Sequence, residues 1–321
     1  MLREFVASQR AKTTRPGFVF WMLATCWNFL ARARGNSLFP VTRFIRANRL
    51  PPEPSSGLSA VNKSVGVLFV TAGKDLEMLP WSIPFAVSSL RTLSSTVKIS
   101  VVVPTVDLKY CKELLANLPD AEIVSEDSYI QKDVVEALKL QFQERFGWAL
   151  QQFLKVAFVL ESNLDAILIV DADTVLLDER NWILDNGNQV LTPSDEFNLS
   201  YYEFLSSIGL GEINPEYTFV SHHMLMQPKY LRLAFEQTGK SFPDEILELV
   251  LNHDFRNTSS PFCLEYEVYG QYLFTHHRDK VELLKWANLG IPRQTNLADQ
   301  IEKEVKKNTG RFSSLSFHTY L

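Results

Sequence analysis

The residues of this chain with the clearest chemical potential are two aspartates, Asp171 and Asp173, which directly follow the aliphatic run Ala166–Val170. A run this short and this apolar predicts a strand buried on both faces, as in a largely parallel sheet. Ligands of such sheets gather beyond the carboxyl ends of the strands. Two carboxylates there, separated by one small residue, are hard oxygen donors that suit Mg²⁺ or Mn²⁺ together with a phosphate. The ordinary alternative is that the aspartates cap the strand and its turn.

A polar and aromatic stripe precedes this strand, because Trp148, Gln151, Gln152 and Lys155 recur at helical spacing. A helix that leads into a parallel strand runs antiparallel to it, so its first half lies near the carboxyl end of the strand. Lys155 is therefore predicted to contact a phosphate, and the two glutamines are predicted to contact sugar hydroxyls. Trp148 is predicted to lie in the same crevice. The alternative is a solvated helix face with a partly covered tryptophan.

Two further strand ends are predicted to bind the base and ribose of a nucleotide. Thr71, Lys74 and Asp75 follow the apolar strand predicted at 65–71, and Asp107 follows the next predicted strand. Asp75 and Asp107 are candidate acceptors for base N–H groups or ribose hydroxyls, but Asp107 would serve equally as a helix N-cap. The chain has neither a G-x-G-x-x-G fingerprint nor a Walker loop.

The second half of the chain supplies acids, an aromatic ring and histidines. Glu265 and Glu267 begin a predicted helix, where acids also complement the helix dipole. Tyr266 between them offers an aromatic surface to an acceptor sugar, and one glutamate is predicted to be a general base toward an acceptor hydroxyl. His222 and His223 follow a predicted strand and are assigned to the acceptor side.

The elements that must position these residues alternate between strand and helix in the first half. This alternation predicts an α/β fold with a Rossmann-type, mostly parallel sheet flanked by helices, followed by a mixed second half. The predicted strands are 65–71, 98–103, 121–124, 166–170, 189–192 and 218–221, with a strand or extended tail at 314–318. The predicted helices are 78–93, 107–117, 131–146, 148–161, 229–237, 244–251 and 265–275.

The composition excludes several classes of protein. Hydrophobic residues make up 46% and charged residues 21%, which is ordinary for a folded soluble chain, and a net charge of -5 gives no reason to expect nucleic-acid binding. The three cysteines lie far apart without a C-x-x-C spacing, which argues against a disulfide framework or a thiolate zinc site. A reducing, cytoplasmic location is therefore expected.

The N-terminal part differs in charge from the rest. The first 50 residues carry nine Arg and Lys but a single acid, Glu4. The apolar segment at 18–31 is too short to cross a hydrocarbon core about 30 Å thick. Residues 1–49 are predicted either to lie on the inner face of an anionic membrane or to pack on the domain as a helix. Breaker residues predict a linker at 50–58 and one folded domain at 59–321.

Four ordered motifs, at 147–155, 169–174, 219–224 and 265–270, resemble GT-A-type glycosyltransferases. They resemble more closely a bacterial family of proposed glycosyltransferases known only as a domain of unknown function, over about residues 65–320. The resemblance implies a nucleotide-sugar half at 65–180, an acceptor half at 181–321, and a divalent metal, Mn²⁺ or Mg²⁺, on Asp171 and Asp173.

The same resemblance implies a nucleotide-sugar donor, a glycan or lipid-linked acceptor and a role in bacterial surface polysaccharide synthesis. In GT-A enzymes with a metal-binding histidine near the C terminus, such as the family 8 transferases, His318 would be the counterpart. Retention or inversion of the anomeric configuration stays open.

Three functions are therefore compatible with the sequence. The leading one is a metal-dependent glycosyltransferase of the hexosyltransferase type. The second is a sugar-phosphate nucleotidyltransferase, although the loop at 71–75 is poor in the glycine that such enzymes place there. The third is a non-catalytic scaffold that keeps the fold and binds no nucleotide.

Overall fold

The computed structural model describes residues 46–54, 62–194, 196, 198–210, 216–252, 261–285 and 287–319. Almost all of the predicted basic arm and half of the predicted linker lie outside these residues, so the expected membrane contact of the arm stays a prediction. Within the described ranges, no helix is both long enough and apolar enough to cross a membrane.

Five strands form the central sheet, in the order β3-β2-β1-β4-β7. The strands are β1 Val65–Val70, β2 Val97–Val103, β3 Ala121–Ser125, β4 Ala166–Val170 and β7 His223–Met226. The first four run parallel, and the edge strand β7 pairs antiparallel with β4. All residues of β1 and β4 are buried, because alternate side chains enter two hydrophobic cores on opposite faces of the sheet.

Helices cover both faces of this sheet, except for the last helix, which packs in a separate hydrophobic cluster. They are α1 Leu79–Ser89, α2 Leu108–Leu114, α3 Lys132–Phe142, α4 Phe146–Glu161, α5 Leu199–Ser207, α6 Pro228–Thr238, α7 Asp244–Asn252, α8 Tyr266–His276 and α9 Leu297–Asn308. Buried residues of α1 and α2 fill one core, and those of α3 to α8 fill the larger one on the other face. The predicted class, α/β with a mostly parallel sheet flanked by helices, is confirmed; the predicted division into two functional halves stays a prediction.

Two small sheets complete the second half. Strands β5 Thr174–Leu176, β9 Asn288–Pro292 and β10 Ser314–His318 form one in the order β5-β10-β9, and β6 Gln189–Leu191 pairs with β8 Val281–Leu283 in the other. Strand β5 begins directly after the two aspartates, and β10 runs antiparallel to it. The last residues of β10 therefore lie beside the turn that carries Asp171 and Asp173.

The strand predicted at 218–221 is wrong. In this stretch Thr218 makes only an isolated bridge to Ser194, and the paired strand β7 begins at His223. The reason is local, because His222 has a φ of 62°, a left-handed conformation that interrupts the extended chain.

Candidate active site

A cleft of about 770 Å³ opens at the carboxyl edge of the central sheet. It gathers most of the residues that the sequence pointed to, because the ends of parallel strands meet at one edge. Those that line the cleft are Thr71, Lys74, Asp75, Trp148, Gln151, Gln152, Lys155, Asp171, Asp173, His222, Glu265, Tyr266 and His318. Asp107, His223 and Glu267 do not line it.

Asp171 is the centre of a polar network at the end of β4. Its Oδ1 accepts hydrogen bonds from Lys155 Nζ at 2.7 Å and from the Tyr266 hydroxyl at 2.8 Å, and its Oδ2 lies 3.2 Å from His222 Nδ1. Burial raises the pKa of Asp171, but the charge of Lys155 and the hydrogen bond to His222 outweigh burial. The net shift of this pKa is downward, so Asp171 is a carboxylate.

Lys155 is the counter-ion of two carboxylates. Its side chain is only 1% exposed, and its Nζ lies 3.2 Å from Glu265 Oε1 as well as 2.7 Å from Asp171. The ammonium also lies 4.9 Å from the centre of the Tyr266 ring. Burial lowers the pKa of Lys155, but the charges of Asp171 and Glu265 raise it above its ordinary value, so the lysine stays charged. Its predicted contact with a phosphate stays a prediction.

Asp173 and His318 meet although they lie far apart in the sequence. The Oδ2 atom of Asp173 lies 3.0 Å from Nδ1 of His318, and the backbone N–H of Phe317 donates to the Asp173 carbonyl at 2.8 Å. The rings of His318 and His222 are 5.4 Å apart between centres. The C-terminal strand thus places an imidazole against the second aspartate.

The donor types of this group fit a divalent cation, although its geometry is not yet that of a cation site. Two carboxylates and one imidazole suit Mn²⁺, and the carboxylates suit Mg²⁺. Among the described residues, however, no three His, Cys, Asp or Glu side chains are already arranged to hold a metal. Both oxygens of Asp171 are instead turned toward Lys155, Tyr266 and His222.

Glu265 offers an unused acceptor in the cleft. It immediately precedes α8 and is 4% exposed, and its Oε1 pairs with Lys155. Its Oε2 is buried and has no hydrogen-bond partner among the described residues. Burial raises the pKa of Glu265, an effect that Lys155 only partly offsets. A buried oxygen of this kind is suited to accept a hydrogen bond from a ligand hydroxyl.

Glu267 lies two residues further on and points into the protein. It is 0% exposed, and its Oε1 accepts from Thr218 Oγ1 at 2.7 Å, Phe219 N at 2.9 Å and the Tyr202 hydroxyl at 3.1 Å. Its Oε2 accepts from Gln271 Nε2 at 2.8 Å. The carboxylate thus fastens the loop before β7 to helix α8, which is a structural role.

We expect Glu267→Ala to lower the free energy of unfolding by at least about 3 kcal/mol, because four buried donors lose their acceptor at roughly 1–3 kcal/mol each. Glu267→Gln keeps an oxygen for three of them and is expected to restore most of the stability. Urea unfolding measures both. A Glu267→Gln variant that folds normally and has lost turnover would instead support the general-base role that the sequence predicted.

Gly270 is the point where α8 touches the same loop. A Cβ atom at this position would lie 2.5 Å from Cγ of Phe219. Gly270→Ala is therefore expected to cost about 1–3 kcal/mol of stability in urea unfolding, more than a helical alanine gains. Gly147 in α4 is the matched control, since nothing lies within 4 Å of a Cβ there. Equal stabilities of the two alanine variants would contradict the tight contact.

The polar and aromatic stripe on α4 has two roles: some of its side chains form the cleft wall, and others hold neighbouring segments in place. Trp148 is half-buried, with Arg145 at 4.0 Å over its ring and Phe262 at 4.9 Å between ring centres. Gln152 is 2% exposed, and its Oε1 accepts from the backbone N–H of Leu264, which fixes the chain just before Glu265. Gln151 is half-buried in the cleft wall.

The two neighbouring histidines are separated by the turn at His222. His222 faces Asp171, whereas His223 is 1% exposed and its Nε2 lies 3.2 Å from Arg180 Nη1. Burial first, and then the charge of Arg180, holds the pKa of His223 well below its ordinary value, so this imidazole is neutral. Of these two neighbouring histidines, His222 lines the cleft and His223 does not.

The loop after β1 forms one end of the cleft. Thr71 has a buried hydroxyl that finds no partner in the described part of the chain, and the Asp75 carboxylate lies 2.7 Å from Arg293 Nη2. Asp107 accepts from the backbone N–H of Gly73 at 3.1 Å, so it shapes this loop from outside the cleft.

Sequence reasoning missed several residues at the cleft. Glu126 lines it and directly follows β3, so the rule that found the other strand ends would have found this glutamate too. Glu196 and Tyr201 also line it and are joined by a 2.8 Å hydrogen bond. They lie near α5, a helix that the sequence analysis did not predict.

Three solved structures are similar to this chain over most of its length. The chain is similar to mouse xyloside xylosyltransferase 1 (15% identity, 80% of this chain and 98% of that one, TM-score 0.42). It is also similar to the galactosyltransferase LgtC (12% identity, 78% and 86%, TM-score 0.46) and to the bifunctional glycosyltransferase WbbM (10% identity, 83% and 47%, TM-score 0.41). These values describe a distant likeness of the fold and carry no activity to this chain.

No protein-family model matches the chain, and no curated protein does either. The closer resemblance to a bacterial domain of unknown function therefore stays a prediction.

Proposed function

We propose that this protein is a glycosyltransferase that moves a sugar from a nucleoside-diphosphate donor to a glycan or lipid-linked acceptor. One observation carries the proposal: Asp171 and Asp173 end a buried parallel strand inside a large cleft, with His318 at 3.0 Å from Asp173. A volume of about 770 Å³ lies within the range of pockets that enclose whole small-molecule ligands.

Asp171, Asp173 and His318 would hold Mn²⁺ or Mg²⁺, once the Asp171 side chain turns from its present partners. When bound, the cation offsets the negative charge that develops on the diphosphate leaving group. Lys155 would then still compensate the charge of Glu265, because its ammonium lies 3.2 Å from Glu265 Oε1.

The other lining residues divide between donor and acceptor. Thr71, Lys74 and Asp75 face the nucleoside end. Glu265 accepts a hydroxyl hydrogen bond through its unpartnered Oε2. In an inverting reaction Glu265 removes the proton of the acceptor hydroxyl, whereas in a retaining reaction the leaving diphosphate takes it and no protein base is needed.

The biological setting proposed here is bacterial surface polysaccharide synthesis in the cytoplasm, with residues 1–49 touching the membrane. Its support is the four-motif resemblance and the basic, apolar arm.

The experiment is a hydrolysis screen of uridine and guanosine diphosphate sugars with Mn²⁺, with Mg²⁺ and with EDTA. Release of nucleoside diphosphate that depends on the cation is the expected result. Pyrophosphate release from a nucleoside triphosphate and a sugar phosphate would point to a nucleotidyltransferase. If calorimetry detects no binding of uridine or guanosine diphosphate, the result would favour the third function, a non-catalytic scaffold.

A further inference from the structure

Arg293 stands between the two ends of the cleft. It directly follows β9 and its side chain is 11% exposed. No sequence motif described above includes this arginine, and it does not line the cleft itself. The five hydrogen bonds that it donates to other described residues all reach segments that carry cleft residues.

On the donor side, the guanidinium holds the loop after β1. Nη2 lies 2.7 Å from Asp75 Oδ1, and Nη1 donates to the carbonyl of Lys74 at 2.9 Å. Both residues line the nucleoside end of the cleft. The loop is held from its other side by Asp107, through the backbone N–H of Gly73.

On the other side, the same arginine holds the end of β10. Nε and Nη2 donate to the Phe317 carbonyl at 3.2 and 3.1 Å, and the backbone N–H of Arg293 donates to the His318 carbonyl at 2.9 Å. Phe317 and His318 in turn contact Asp173. The guanidinium thus joins the loop after β1 to the strand end whose residues contact Asp173.

We propose that Arg293 is a positioning residue that fixes the nucleoside-binding loop relative to the strand that carries His318. Tight binding of a nucleoside diphosphate needs both ends at once, because the base and ribose occupy the loop while the diphosphate reaches the Asp173 end. Arg293 sets the distance between them and so couples the binding of nucleotide and cation. The inference rests on the proposed function.

A lysine cannot replace this arrangement. Its single ammonium can pair with Asp75, but it lacks the flat fork that reaches a carboxylate and two carbonyls together. The charge and the geometry of Arg293 are therefore separable by substitution.

The test is calorimetric titration of UDP and of GDP, each with and without Mn²⁺, into the whole protein and its Arg293→Ala and Arg293→Lys variants. Arg311→Ala, which alters an exposed arginine just before β10, is the matched control. Wild-type protein and Arg311→Ala are expected to bind one diphosphate more tightly with Mn²⁺. Arg293→Ala is expected to lose at least about fivefold of that enhancement, the low end of usual coupling, with Arg293→Lys between them.

The titrations are done well below the melting temperature of each variant, so a loss of stability can be distinguished from a loss of binding. A variant that melts earlier but binds UDP or GDP with the wild-type enhancement assigns Arg293 a structural role only and overturns the inference, while the proposed function stands. Wild-type protein that binds neither diphosphate overturns both.

Discussion

Asp173→Ala is expected to lower cation-dependent turnover of the nucleotide sugar by at least about 100-fold. A bound cation contributes several kcal/mol of charge stabilisation, and each 1.4 kcal/mol is a factor of ten in rate. Asp173 is the sharper choice for a single substitution, because its carboxylate contacts His318 Nδ1 at 3.0 Å and the Thr174 hydroxyl at 3.4 Å, whereas the carboxylate of Asp171 also neutralises the buried Lys155. Steady-state donor hydrolysis and calorimetric Mn²⁺ binding measure the two losses separately.

The double variant Asp171→Ala/Asp173→Ala is expected to abolish the cation-dependent reaction. Asp120→Ala serves as the control, since Asp120 is exposed and follows α2 outside the cleft. Full cation-dependent activity in the double variant would falsify the proposed mechanism.

Lys155→Met is expected to lower the free energy of unfolding by about 3–5 kcal/mol, the usual cost of removing one partner of a buried ion pair. The methionine fills much of the volume, so the loss is electrostatic. Asp171 and Glu265 would then face each other without a cation, and Glu265 has a second oxygen that already lacks a partner. Urea or thermal unfolding of the purified variant gives the value.

Two comparisons make this result specific. Lys139→Met alters an exposed lysine on α3 and is expected to change stability by less than about 0.5 kcal/mol. Lys155→Met/Glu265→Gln removes one of the two stranded charges and is expected to recover part of the loss. An unchanged stability in Lys155→Met would show that the three groups do not form the buried network described above.

The four parallel strands of the central sheet could be predicted because their sequence signals are local. Short aliphatic runs separated by helical spacing predicted β1, β2, β3 and β4, and a fully buried β4 followed from its unbroken apolar pattern. The helix predicted at 148–161 begins slightly earlier, at Phe146, and carries the stripe as expected. Strands β5, β8 and β9 were not predicted; β9 contains Asn288, Gly290 and Pro292, residue types that are depleted in strands.

The two glutamates of the fourth motif show where local reasoning stops. The sequence gives Glu265 and Glu267 the same chemistry and nearly the same position at a helix start. In the structure α8 begins at Tyr266, so Glu265 precedes the helix and faces the cleft, whereas Glu267 lies inside the first turn and faces the protein. Successive helical residues are rotated by roughly 100° about the helix axis, so the first residue of α8 decides which carboxylate faces the cleft. That first residue is fixed by tertiary packing.

By itself the sequence determined that Asp171 and Asp173 end a buried strand and that other polar groups end neighbouring strands, so their meeting at one sheet edge was predictable. Only the tertiary structure decided their partners. Tyr266 reaches Asp171 from 95 residues away, and His318 reaches Asp173 from 145. Periodicity reports which face a side chain takes within its own element. The pairing of β10 with β5, and the ammonium shared between Asp171 and Glu265, depend on how distant elements pack, which no local pattern contains.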